Sequence, residues 1–144
     1  MPLIPKKMSE ILKTTWQSGM HFVADAPGGT LNLDAHENIG GKEKGNRPKA
    51  LMLAALAGCT GIDVVLMLQK MRVELAEFKI DVVAELSDEH PKIYKTTHII
   101  YQFTGANSDY EKMEKAVNMS FDKYCGVVAM FKSFSTVTKE IKFN

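Results

Sequence analysis

From Leu51 to Leu68 the chain is so nearly continuous in Leu, Met, Ala and Val that only an apolar environment can receive it. The run approaches the length of a membrane span. However, Gly58, Thr60, Gly61 and Asp63 interrupt it, and a lone carboxylate in hydrocarbon is expensive. A buried helix accommodates both facts. Asn46 supplies a cap, Pro48 suits the first turn because its missing N–H has no partner there anyway, and the helix runs to about Lys70. Because it is apolar nearly all round, it is expected to be covered on most sides. Ala54 and Gly58, and likewise Ala57 and Gly61, stand four apart and let another backbone come close, so a tight helix–helix contact is expected there.

Shorter elements flank this helix. Met20 to Ala24 and Thr30 to Ala35 enclose Ala26-Pro27-Gly28-Gly29 and predict a hairpin, followed by a polar, glycine-rich loop over 36–46. From Glu77 the period becomes two: Phe78, Ile80, Val82, Ala84 and Leu86 alternate with more polar residues, the pattern of a strand with one buried face. A turn over Ser87 to Pro91 leads to a β-branched and aromatic strand from Ile93 to Thr104, giving an antiparallel hairpin. Ser108-Asp109-Tyr110-Glu111 fits a capping box, and the helix it opens runs to about Tyr124. Phe134 to Phe143 forms a last strand.

The expected architecture is α+β, one domain over 1–144, with strands in antiparallel groups around a long buried helix. A chain of this length buries roughly 68–70% of its unfolded surface and needs no staple. It still offers too few elements to cover the central helix on all sides, so a second copy is expected to do so, as a two-fold homodimer.

Composition narrows the function classes. Lys and Arg number 18 against 17 Asp and Glu, which gives no electrostatic handle for nucleic acid or an anionic membrane. Met1 to Lys7 lacks the pattern of a secretory signal, so a cytoplasmic location is expected. His36-Glu37-Asn38-Ile39-Gly40 opens like a zinc-protease helix but has Gly40 where the second histidine belongs, and Asn46 stands where a phosphate-binding loop would place its lysine. His21, His90 and His98 are scattered, so structural hydrogen bonding is expected of them, with no metal site and no cofactor.

The remaining chemistry lies in Cys59 and Cys125, 66 positions apart. From spacing alone, two small buried hydrophobes are the commoner outcome for free cysteines. The surrounding residues shift the balance. Pro48-x-x-Leu51-x(7)-Cys59 on the apolar helix, and Cys125-x-Val127 after a later helix, resemble the OsmC/Ohr family across nearly the whole chain. Gly45-x-Arg47-Pro48 and Cys59-x-x-Ile62-Asp63 resemble its YhfA-like branch in particular.

The resemblance implies an intertwined homodimer with its site between the chains. It implies a peroxidatic Cys59, a resolving Cys125, an organic hydroperoxide or other apolar small molecule as substrate, and a dithiol reductant such as a lipoyl group. The enzymes of the family also use an arginine from the N-terminal strands, held by a glutamate just after the helix proline. This chain has no arginine before Arg47 and carries Lys49 at the glutamate position. Asp63 lies one turn beyond Cys59, where its charge opposes a thiolate. Arg47 is about 18 Å along the helix from Cys59 at 1.5 Å per residue, so Arg47 or Lys49 is expected to serve Cys59 and Asp63 of the other copy.

Two rival readings accompany thiol peroxidase chemistry. One is a non-catalytic dimeric protein that keeps the pocket for an apolar ligand or a partner without the activating pair. The other is a redox sensor, for which the chain lacks a DNA-reading or output segment.

Overall fold

A computed structural model describes residues 10–104 and 109–144. The chain divides into two compact units, Met1–Met52 and Leu53–Asn144. Met1 to Lys7 and the Ser108 cap lie outside the described residues.

In the first unit, β1 (Lys13–Ser18), β2 (His21–Ala26) and β3 (Gly29–Leu33) form an antiparallel sheet in that order. The β2–β3 turn is Pro27-Gly28: proline fixes its own φ, Gly28 takes φ +91°, and Ala26 pairs with Gly29 across it. The strand β1 has no apolar alternation, being exposed along its whole length, which is why periodicity does not mark it individually. The loop after β3 contains a short 3₁₀ turn, Glu37–Ile39, capped by His36, whose Nδ1 accepts from Asn38 N–H at 3.2 Å.

Asn46 does not cap the central helix. Its N–H donates to Asn32 O at 2.8 Å and its carbonyl accepts from Asp34 N–H at 3.1 Å, so its backbone continues the sheet pattern beside β3. Gly45 permits that approach, because a Cβ there would collide with the backbone of Asn32 and Leu33. Asp34 fastens the same loop, accepting from the N–H groups of Ala35 (2.7 Å), Lys42 (3.3 Å) and Lys44 (3.0 Å).

The helix α1 spans Pro48–Lys70 with Pro48 at its first position, as its sequence predicts. By length and composition it could cross a membrane, but a row four residues apart, Leu56, Thr60, Val64 and Leu68, is buried in protein. Within the single chain the cover is therefore one row, not most sides: Ile62 is 70% exposed and Leu66 49%. The expected helix–helix contact is not formed in this chain either. Gly61 faces β4 (Glu77–Leu86), where an added Cβ would lie 3.1 Å from Ile80 Cδ1, and Gly58 faces open space.

In the second unit, β4, β5 (Tyr94–Thr104) and β6 (Thr136–Phe143) form a sheet in that order. The β4–β5 pair is antiparallel, with Glu77 opposite Thr104. The pair β5–β6 is parallel, with Thr96 beside Thr136, contrary to the all-antiparallel expectation. The cause is the crossover: α2 (Tyr110–Met119), a π-turn (Ser120–Tyr124) and α3 (Gly126–Lys132) return the chain to the starting end of β5. Central β5 alternates strictly from Thr97 to Phe103, burying Thr97, Ile99, Tyr101 and Phe103. Leu56, Val64 and Leu68 of α1 belong to one core with Ile99, Tyr101, Met113, Val117, Val128 and Phe131. Each large apolar side chain buried in it contributes about 1.5–3 kcal/mol.

Candidate active site

Cys59 lies mid-way along α1, half-buried, next to the fully buried Thr60. Cys125 is buried and sits between the π-turn and α3. The wider π-turn gives Cys125 its place. Its backbone N–H donates to Ser120 O at 2.9 Å, the five-residue spacing of a π-helix, and at φ −73°, ψ 110° the chain leaves helical geometry there. Cys125 Sγ then accepts from Val128 N–H at 3.4 Å and caps α3. Lys132 closes the turn from the far side by donating to Phe121 O at 2.9 Å.

The two thiols are neighbours: Thr60, next to Cys59, meets Ser120, whose carbonyl holds the Cys125 N–H, and the Cys59 thiol bears on the titration of Cys125. Burial pushes the Cys125 thiol up to about 11; the Val128 N–H favours the anion, while the Cys59 thiol reinforces burial. Cys125 therefore carries its proton at neutral pH.

Beneath the pair runs a buried chain of hydroxyls. Tyr101 OH lies 2.8 Å from Thr60 Oγ1, Thr60 Oγ1 lies 2.8 Å from Ser120 Oγ, and Ser120 Oγ donates to Asp63 Oδ2 at 3.0 Å. Tyr101, Thr60 and Ser120 have no solvent exposure. With the Ser120 proton on Asp63, Thr60 donates to Ser120 and Tyr101 to Thr60, so every hydroxyl is satisfied. Burial raises Tyr101 to about 12, opposed by its bond to Thr60 and aided by the charges of Cys125, Asp63 and Asp122. Asp63 thus ends a polar chain instead of standing as an unanswered charge beside Cys59. Asp63 also borders an open groove of about 620 Å³ whose apolar wall is Leu66, Met67, Met71 and Met119, with Lys70 and Tyr124 completing it, a lining that suits a hydrocarbon group beside a polar one.

Of the residues singled out in the sequence, Cys59, Cys125 and Asp63 come together in the second unit. Arg47 and Lys49 are exposed in the first, where Arg47 pairs with Glu43 at 3.1 Å. Sequence reasoning passed over Thr60, Tyr101 and Ser120. Thr60 had a signal, being a polar residue in the buried row of an apolar helix; Ser120 had none until the π-turn was known. His21 bonds Asn32 at 2.9 Å, and His98 bridges Thr138 at 2.7 Å and Glu140 at 3.1 Å, which are structural roles.

A sequence pattern described as OsmC-like protein matches residues 41–140, which include α1, both cysteines and most of the second sheet. The chain belongs to the OsmC-like family. This OsmC-like protein is 27% identical over 127 residues to Protein YhfA of Escherichia coli K12, covering 88% of this chain and 92% of that one. Its fold is similar to the crystal structure of a hypothetical protein from Aquifex aeolicus VF5, with a TM-score of 0.78 at 29% identity over 96% of this chain and 99% of the other. It is also similar in fold to an organic hydroperoxide resistance protein OsmC from Legionella pneumophila. There the TM-score is 0.68 at 17% identity, over 94% and 97% of the two chains. The α+β fold with two small sheets and a long central helix is thus shared with proteins of hydroperoxide resistance.

Proposed function

We propose that this OsmC-like chain is a cytoplasmic, thiol-dependent hydroperoxide reductase acting on organic hydroperoxides. The observation that carries the reading is that the fold brings Cys59 and Cys125 together, the residue after Cys59 bonding to Ser120 while the Ser120 carbonyl holds Cys125. The Cys59 thiolate attacks the hydroperoxide at oxygen; the O–O bond breaks, Cys59 becomes a sulfenic acid, and the alkoxide takes a proton to leave as alcohol. Cys125 sulfur then attacks the Cys59 sulfur; an S–S bond forms, and the sulfenic hydroxyl leaves as water with the Cys125 proton. A dithiol, such as a lipoyl group, reduces the disulfide by exchange and becomes oxidised in turn. The half-buried position of Cys59 admits a substrate, while the buried Cys125 is held for the intramolecular step.

The working form in this reading is a two-fold dimer that covers the exposed apolar side of α1, with Arg47 or Lys49 of one copy supplying the cation near Cys59 of the other. Rates with cumene hydroperoxide and with hydrogen peroxide, using Cys59→Ser as control, test the activity. Faster reaction with the organic peroxide, abolished in Cys59→Ser, is expected; equal rates in the variant contradict it.

The ion pair of Arg47 with Glu43 favours a second reading, a dimeric binding protein for an apolar ligand or a partner. Slow, unselective thiol reactivity together with a copurifying apolar ligand would select it.

A further inference from the structure

We propose that Ser120 is a positioning residue that sets Cys125 against Cys59. Its backbone carbonyl accepts the Cys125 N–H at 2.9 Å and so closes the π-turn. Its hydroxyl lies 2.8 Å from that of Thr60, the residue after Cys59, and donates to Asp63, four residues after Cys59, at 3.0 Å. One fully buried side chain therefore grips the turn of α1 that carries the first cysteine, while the same residue's main chain holds the second. In this proposal Ser120 takes no part in bond making. It acts by fixing the separation of the two thiols, which sets their effective concentration for one another.

This inference rests on the two thiols working as a redox pair, but it does not require peroxide to be the oxidant. Disulfide formation with oxidised glutathione is balanced without peroxide: two protein thiols are oxidised to one disulfide, and one oxidised glutathione is reduced to two thiols. A lost grip from Ser120 lowers the equilibrium constant for that exchange; a merely structural role does not.

The test equilibrates the folded full-length protein in glutathione buffers of graded ratio, traps free thiols by alkylation and counts them by intact mass. Ser120→Ala is expected to lower the Cys59–Cys125 equilibrium constant at least about tenfold, which is about 30 mV toward easier reduction. Thr60→Val, which removes the hydroxyl from the α1 side, is expected to act in the same direction, so a folding failure of either variant leaves the other to decide. Val117→Ala, a cavity in the same core, is expected to lower stability to urea and leave the equilibrium within about twofold of wild type.

Ser120→Ala and Thr60→Val both within twofold of wild type would overturn the proposal, as would a wild-type pair that forms no disulfide in oxidised glutathione. A Ser120→Ala deficit in a protein that cumene hydroperoxide does not oxidise would uphold the positioning role while contradicting the peroxidase reading.

Discussion

The hydroxyls of Thr60 and Ser120 meet at 2.8 Å where neither residue has any solvent exposure, although the chain separates them by 60 positions. Hydroxyls buried without partners are costly, so this meeting fixes how the α2 end seats on α1. Tyr101→Phe removes one end of the network but leaves Thr60 bonded to Ser120. It is expected to cost about 0.5–1.5 kcal/mol in urea unfolding, and Thr60→Val, which leaves the Tyr101 hydroxyl without its partner while Ser120 keeps Asp63, about 1–3 kcal/mol. A Thr60→Val protein as stable as wild type would contradict the network.

The thiol and phenol of this region shape the alkaline limit of stability. Cys125 is raised from an ordinary 9.0 to about 11 and Tyr101 from 10.0 to about 12. Below the ordinary values both groups are protonated, folded or unfolded, and contribute nothing. Above them the unfolded chain ionises first, so stability falls as pH rises from 9.0 towards 12. Thermal unfolding followed across that range is expected to show the fall, with a shallower slope for Cys125→Ala. An unchanged slope would contradict the assignment.

At the acid end the loop around Gly41 and Gly45 answers to Asp34. Three backbone N–H groups lower its carboxyl below the ordinary 3.8, those of Lys44 and Ala35 most, with burial opposing. A depressed value means that the contribution is present above 3.8 and is lost as pH falls through the lower folded value. Asp34→Asn is expected to reduce that acid-linked loss and to speed amide exchange at Lys42 and Lys44 at neutral pH. Unchanged exchange there would contradict the role given to Asp34.

The exposed side of α1 tests the second copy. In the single chain a Cβ at Gly58 meets nothing, so Gly58→Ala would stabilise an isolated helix by about 0.5–1 kcal/mol. Gly58→Leu would crowd a helix packed there. Light scattering is expected to give twice the chain mass for wild type and a weakened dimer for Gly58→Leu; a wild-type monomer at micromolar concentration would contradict the two-fold assembly.

Much of the fold was legible because burial imposes a period. Alternation from Phe78 to Leu86 delimits β4 at its observed bounds, and Pro48 and Lys70 bracket α1. Asn46 misled because its side chain suits a cap while its backbone is drawn into the pattern beside β3. The direction of β6 was not legible: a crossover through α2 and α3 settles parallel pairing, and no local residue records it. Cys59 and Cys125 stood out as the chain's two thiols. Ser120 was invisible because its importance comes from a π-turn, a five-residue register that helical periodicity does not reveal.

The central claim is that Cys59 and Cys125 form a working redox pair, and one equivalent of cumene hydroperoxide tests it most directly. Intact mass and thiol counting should show both thiols lost to a single Cys59–Cys125 disulfide, restored by a dithiol. Oxidation of Cys59 to sulfinic or sulfonic acid with Cys125 still a free thiol, or no change in either residue, would contradict the account.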